Sequence, residues 1–233
     1  MIKISNVDKY FNDVKIIDDC NLVIKSGELT IIAGGDGAGK TSLIKLIVGL
    51  LNPDRGYILI DGKIPYKKRA DIGYMAQNFS WYRNLTVEEN VILSAKMHGF
   101  DSKQALMNCN EMLNFVGLDR FKHRLAEKLS GGMKQKLALA ATLVYRPQII
   151  LLDEPTTGVD PVSRQELWDL IQMINKEDIT IIIATPYFDE VMYAKHIVYM
   201  NKGKIILDDK LEILQQKYNK QNLAEVFISL IDE

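Results

Sequence analysis

The chain has 233 residues, 47% of them hydrophobic, which is enough to bury a substantial core as one unit rather than two. Its 29 Lys and Arg against 30 Asp and Glu leave a net charge of −1, with no basic excess of the kind that advertises a nucleic-acid face. The only cysteines, Cys20 and Cys109, lack metal-like or disulfide-framework spacing and fit a reducing compartment, and no stretch approaches the roughly 18 apolar residues of a membrane span.

Met1-Ile2-Lys3-Ile4 begins directly as an alternating strand, which reads as a chain without signal peptide or anchor. Residues 1–33 and 56–75 read as short alternating strands with glycine turns such as Asp61-Gly62-Lys63, the pattern of an antiparallel β subdomain. Within the first stretch, the apolar run Leu29 to Ala33 leads into Gly34-Gly35-Asp36-Gly37-Ala38-Gly39-Lys40-Thr41, and the periodic stretch from Ser42 to Leu51 follows. Strand, glycine loop and helix in that order make a phosphate cradle. Gly34, Gly37 and Gly39 allow torsions that a Cβ would forbid, so successive N–H groups can turn toward phosphate oxygens. Lys40 adds a positive charge for the outer phosphates, Thr41 a hydroxyl for Mg²⁺, and the helix start its positive dipole end.

From Thr86 the pattern becomes helical, with Thr86 and Glu89 as a capping box and Val87, Val91 and Ala95 on one face. A second helix is expected from about Ser102 to Val116. Leu129-Ser130-Gly131-Gly132 precedes a helix-forming stretch from Met133 to Val144, with Ser130 as N-cap and a second helix start able to meet an anion. Ile149 to Leu152 is wholly apolar, as in a strand buried on both faces of a parallel sheet, and ends in Asp153-Glu154-Pro155. Ligands gather at the carboxyl ends of such strands, so both acids stand where phosphates arrive, Asp153 toward a metal and Glu154 toward an attacking water. Helix and strand then alternate: Pro161 to Asn175 behind Asp160 as N-cap, Thr180 to Thr185, a helical segment from Tyr187 to Ala194, and a hairpin from Ile197 to Leu207 broken at Asn201-Lys202-Gly203. Residues 210–233 read as a helical tail.

The phosphate loop, the Asp153-Glu154 pair and above all Leu129-Ser130-Gly131-Gly132-Met133-Lys134-Gln135 resemble the ATP-binding subunit of an ATP-binding-cassette (ABC) transporter, over about residues 1–208. The resemblance implies an α/β fold: a P-loop NTPase (RecA-like) core with a mostly parallel sheet, an antiparallel β subdomain and an inserted α-helical subdomain. One ABC ATPase domain then fills the chain, with residues 1–79 and 138–208 forming the β subdomain and ATP-binding core, 80–137 the helical subdomain and 209–233 the tail. ATP would be held by Gly34, Gly35, Asp36, Gly37, Ala38, Gly39, Lys40, Thr41 and Ser42, with Mg²⁺ as cofactor on Thr41, Gln77 and Asp153. Glu154 and Gln77 would be catalytic. Phe11 matches the aromatic that stacks on adenine, with Tyr10 as competitor and Asn12 where a glycine is usual. Ser130, Gly131, Gly132 and Gln135 would cover ATP held by another subunit, which Asp160 would also contact.

One position departs from the family: Pro186 stands where a switch histidine is expected, and proline offers neither a side-chain donor nor an N–H. The resemblance further implies a second nucleotide-binding domain, in a homodimer or heterodimer, and a separate integral-membrane permease that holds this cytoplasmic chain peripherally on the inner face of the cell membrane, with no nucleic acid. Phe79, Trp81 and Tyr82 are candidate permease contacts, with ordinary packing as the alternative, and the motif style resembles that of exporters with ABC-2-type permeases. Two other readings compete with that of an exporter motor: a soluble ABC ATPase acting on ribosomes or DNA, and a slow regulatory half of a heterodimeric transporter.

Overall fold

The computed structural model describes residues 1–77 and 81–217; Phe79 and residues 218–233 of the expected tail lie outside the described residues. In chain order the strands are β1 (Ile2–Phe11), β2 (Val14–Ile24), β3 (Leu29–Ala33), β4 (Arg55–Ile60), β5 (Ile72–Met75), β6 (Ile149–Asp153), β7 (Thr180–Thr185), β8 (His196–Asn201) and β9 (Lys204–Lys210). The helices are α1 (Lys40–Val48), α2 (Val87–Met97), α3 (Ser102–Phe115), α4 (Gly131–Leu143), α5 (Pro161–Asn175) and α6 (Leu211–Lys217).

Apolar side chains alternate along β1, which pairs antiparallel with β2 and β4 in a three-stranded sheet. Its hairpin to β2 turns through Asn12 and Asp13 at φ 46 and 66, the left-handed torsions that a two-residue turn demands and that Asn and Asp tolerate. Asn12 therefore does the conformational work of the glycine it replaces. A six-stranded sheet in the order β5-β6-β7-β3-β8-β9 forms the second layer, parallel from β5 to β8 with β9 antiparallel at its edge.

Both faces of β3, β6 and β7 are buried, so the period of two sends alternate residues into different cores. Ile32, Leu151 and Ile182 join α1 and the antiparallel sheet in one core. Ile31, Ile150 and Ile183 join Leu137 of α4 and Trp168 of α5, with the α2 and α3 packing, in the other. Residue 137, where the helical subdomain was expected to give way to the core, lies inside α4, so one continuous helix serves both.

Several expectations change. β3 and β5 belong to the parallel sheet rather than to an antiparallel subdomain, because an unbroken apolar strand needs cover on both faces. The strands β1 and β2 are long, at 10 and 11 residues. The segment after Pro186 is a short 3₁₀ turn, Phe188–Tyr193. Trp81 packs against the helical core instead of standing free, whereas Tyr82 is 53% exposed. The Thr86–Glu89 capping box forms in both directions, and Asp101 caps α3 by accepting from Lys103 and Gln104 N–H. No helix among the described residues is long and apolar enough to cross a membrane.

Candidate nucleotide site

The loop leaving β3 is shaped by glycines in two different ways. A Cβ at Gly34 would lie 2.3 Å from the Met200 carbonyl oxygen, so only glycine lets the chain pass β8. Gly37 and Gly39 adopt φ +77 and +102, a region closed to most side chains. Gly39 caps α1, which leaves the first-turn N–H groups of the helix facing a cavity of about 340 Å³. Residues 36–42 line it with Ile16, Gln77 and Glu154. A larger cleft, about 720 Å³, lies at the opposite, amino-terminal ends of β6 and β7 and lacks this donor-rich loop.

Lys40 is buried with its Nζ donating to the Gly34 and Gly35 carbonyls at 2.8 and 3.0 Å, and it lies 3.9 Å from Glu154 Oε1. Burial lowers the lysine pKa, while the charges of Glu154, Asp36 and Asp153 oppose that effect. Thr41 Oγ1 donates to Asp153 Oδ1 at 3.0 Å. Asp153 is 1% exposed, and its Oδ2 has no hydrogen-bond partner among the described residues. Burial pushes its pKa up, against the Thr41 hydrogen bond that pulls it down.

A buried carboxylate oxygen without a donor, beside a hydroxyl and next to a phosphate cradle, suits a hard cation. Magnesium typically takes one or two carboxylates and completes its shell with water and substrate phosphates.

Glu154 sits at φ 52 with its N–H donating to Ala184 O at 2.9 Å. This uncommon left-handed torsion turns the chain sharply at the end of β6. Its Oε2 accepts from Gln77 Nε2 at 2.8 Å and from Thr157 Oγ1 at 3.2 Å, leaving Oε1 toward Lys40. Gln77, Glu154, Lys40 and Thr41 thus meet around one cavity, with Asp153 behind Thr41.

Other expected site residues stand elsewhere. Ser130 caps α4 by accepting from Met133 N–H at 3.3 Å; Ser130 and Gly131 are exposed and Gln135 half-buried, outside the cavity lining. A Cβ on Gly132 would lie 2.4 Å from Ser163 Cβ, and one on Gly131 3.2 Å from Gly158 O, so the starts of α4 and α5 abut. Asp160 caps α5 by accepting from Ser163 N–H at 3.0 Å.

Phe11 and Tyr10 are 44% and 42% exposed on the hairpin whose other strand supplies Ile16 to the cavity. Pro186 is half-buried just beyond Thr185, which is in register with Ala33. The Tyr187 ring lies 4.7 Å from the Arg164 guanidinium, and neither Pro186 nor Tyr187 lines the cavity. Sequence reasoning missed Ile16 and Thr157. Thr157, three residues beyond Glu154, could have been found; nothing in the pattern around Ile16 marks it.

The ABC transporter family pattern matches residues 17–157. The probable multidrug ABC transporter ATP-binding protein YbhF of Escherichia coli is 39% identical over 222 residues, 93% of this chain. The chain spans 38% of that relative's length. The bacitracin transport ATP-binding protein BcrA of Bacillus licheniformis is 33% identical, over 97% of this chain and 76% of its own. The sulfate/thiosulfate import ATP-binding protein CysA of Nocardia farcinica is 36% identical, over 88% of this chain and 63% of its own. Among solved structures, the dimeric ATP-binding cassette MJ0796 in a post-hydrolysis state bound to ADP and Pi superposes with a TM-score of 0.83 at 28% identity, covering 91% of this chain and 99% of that one. With phosphate loop, paired acids and parallel sheet assembled as described, this chain belongs to the ABC transporter family, as an ATP-binding cassette with the family's ATPase fold.

Proposed function

We propose that this cassette is the MgATP-hydrolysing motor subunit of a membrane exporter, working as two cassettes that close face to face on nucleotide. The observation that carries this reading is the separation of two anion-seeking surfaces. Lys40, Thr41 and Glu154 line one cavity with Asp153 behind Thr41, whereas Ser130 and Gly131 at the capped start of α4 stand exposed outside its lining. A second cassette turned head to tail would bring its own α4 start onto the phosphates held by Lys40.

In the closed pair the phosphate loop N–H groups and Lys40 hold the β- and γ-phosphates, with Phe11 or Tyr10 toward the base. Thr41, Asp153 and Gln77 would hold Mg²⁺, which when bound neutralises charge on the outer phosphates. Glu154 Oε1 accepts a proton from the attacking water, while Gln77 and Thr157 fix Oε2 and so aim the carboxylate. Pro186 supplies no donor to the terminal phosphate. One missing transition-state donor slows turnover by about 10²–10³ and leaves binding intact. That slowness also suits the regulatory half of a heterodimer.

A separate permease would convert dimer closure into transport from the inner face of the membrane, with Tyr82 among its contacts. Export rests on motif style and on the multidrug and bacitracin names of two relatives, against a third named for sulfate import. The test is sedimentation of Glu154→Gln protein with MgATP, and capture of a polytopic membrane protein by the tagged wild type. A dimer that forms with MgATP and is lost in Lys40→Ala is expected. Monomer under saturating MgATP in the presence of the captured permease, or stable capture of ribosomes instead, would overturn the reading.

A further inference from the structure

Glu190 is a fully buried carboxylate outside the cavity just described. Its oxygens take donors from three separate segments. Oε2 accepts from Thr185 Oγ1 at the end of β7 at 2.5 Å. Oε1 accepts from Thr156 Oγ1 in the loop after β6 at 2.6 Å, from Arg164 Nε on α5 at 2.9 Å and from Trp168 Nε1 on α5 at 3.2 Å. A buried charge is tolerated when its lone pairs are satisfied, and the same network then fixes every group that donates to it.

Those groups flank the hydrolytic residues. Thr156 is two residues beyond Glu154, Thr185 immediately precedes Pro186, and Arg164 lies in the first turns of the helix that Asp160 caps. Arg164 also pairs with Asp189 at 3.0 Å and faces the Tyr187 ring, closing the 185–190 turn onto α5. On its other side the start of α5 abuts Gly132 of α4. Glu190 touches none of the reacting positions.

We propose that Glu190 is a positioning residue for hydrolysis: through Thr156, Thr185 and Arg164 it ties the aim of Glu154 to the position of α5, and so to the α4–α5 surface offered to a second cassette. Because Pro186 has no donor of its own, the turn it occupies is held by its neighbours, Thr185 on Glu190 and Tyr187 on Arg164. This inference rests on the reading of Glu154 as the base for ATP hydrolysis.

The test uses the full chain with its permease, MgATP as substrate and a fluorescent ATP analogue to report affinity. Thr156→Val removes one hydroxyl at nearly constant shape, Thr156→Ser restores it, and Glu190→Gln removes the charge. Thr156→Val and Glu190→Gln should each lower kcat by about 10–10²-fold, the scale of a small misplacement away from the chemistry, with KM and analogue affinity unchanged. Thr156→Ser should recover most of the rate. The double variant Thr156→Val with Glu190→Gln should be less impaired than the product of the two single effects.

Wild-type kcat in folded Thr156→Val, a parallel shift of kcat and affinity, or Thr156→Ser no better than Thr156→Val would overturn the proposal. Should Glu190→Gln fail to fold, the Thr156 pair carries the decision. Wild-type turnover no greater than that of Glu154→Gln would instead overturn the assignment of the base, and this inference with it.

Discussion

β6 and β7 lie side by side in the same sheet, both wholly buried, β6 rich in isoleucine and leucine and β7 in isoleucine, yet their carboxyl ends differ. β6 ends in Asp153 and Glu154, which keep acceptor capacity free: Oδ2 of Asp153 has no partner among the described residues, and Oε1 of Glu154 faces Lys40. β7 ends in Thr185, whose hydroxyl is occupied by Glu190, and in Pro186, which has no donor at all. Parallel pairing places both ends on the same edge of the sheet. Chemistry is decided by which polar atoms the packing leaves open there.

The strongest way to break that contrast is at β6. Glu154→Gln keeps the hydrogen-bonding shape and removes the base, so MgATP turnover should fall by about 10²–10⁴-fold with nucleotide affinity retained; an unimpaired rate would reassign the base. At β7 the sign reverses. Pro186→His returns a donor beside the cavity and should raise kcat by up to about 10²-fold; no change would mean that the missing imidazole does not limit the rate.

Smaller effects probe the walls around both ends. Gly132→Ala should cost about 1–3 kcal/mol in unfolding, because its methyl would press on Ser163, and Ser163→Gly in the same chain should recover most of the loss. Equal destabilisation with and without Ser163→Gly would dissociate α4 from α5.

Asp153 gives the smallest shift and a pH signature. Burial holds its pKa above the ordinary 3.8, so the folded protein binds the proton more tightly than the unfolded chain. The stability attached to that proton is present below 3.8 and is lost as pH rises through the folded value. Near neutral pH the buried charge is a net cost. Asp153→Asn should therefore raise the melting temperature of the nucleotide-free protein at pH 7 by about 2–4 °C, roughly 1 kcal/mol, while removing the Mg²⁺ dependence of nucleotide binding. A lower melting temperature would show that Lys40 and Thr41 need the charge more than the core rejects it.

Local rules made much of this protein legible. The glycine loop from Gly34 to Gly39, the caps at Thr86, Ser130 and Asp160 and the hairpin at Lys202-Gly203 are set by torsions and donors within a few residues, and they stand where the residues indicate. Sheet membership was less legible. Leu29 to Ala33 and Ile72 to Met75 pair with strands more than a hundred and about eighty residues away, and nothing in their own composition names the partner.

The sequence by itself therefore determined which residues can cradle phosphate, cap a helix or accept a proton, because those capacities are properties of single side chains and short loops. Only the tertiary structure decided that Asp153 keeps an oxygen open while Glu190 accepts from four donors, and that the start of α4 stands outside the cavity lining. The reason is physical: whether a buried polar atom is satisfied depends on donors brought from distant segments, and that pairing is fixed by packing.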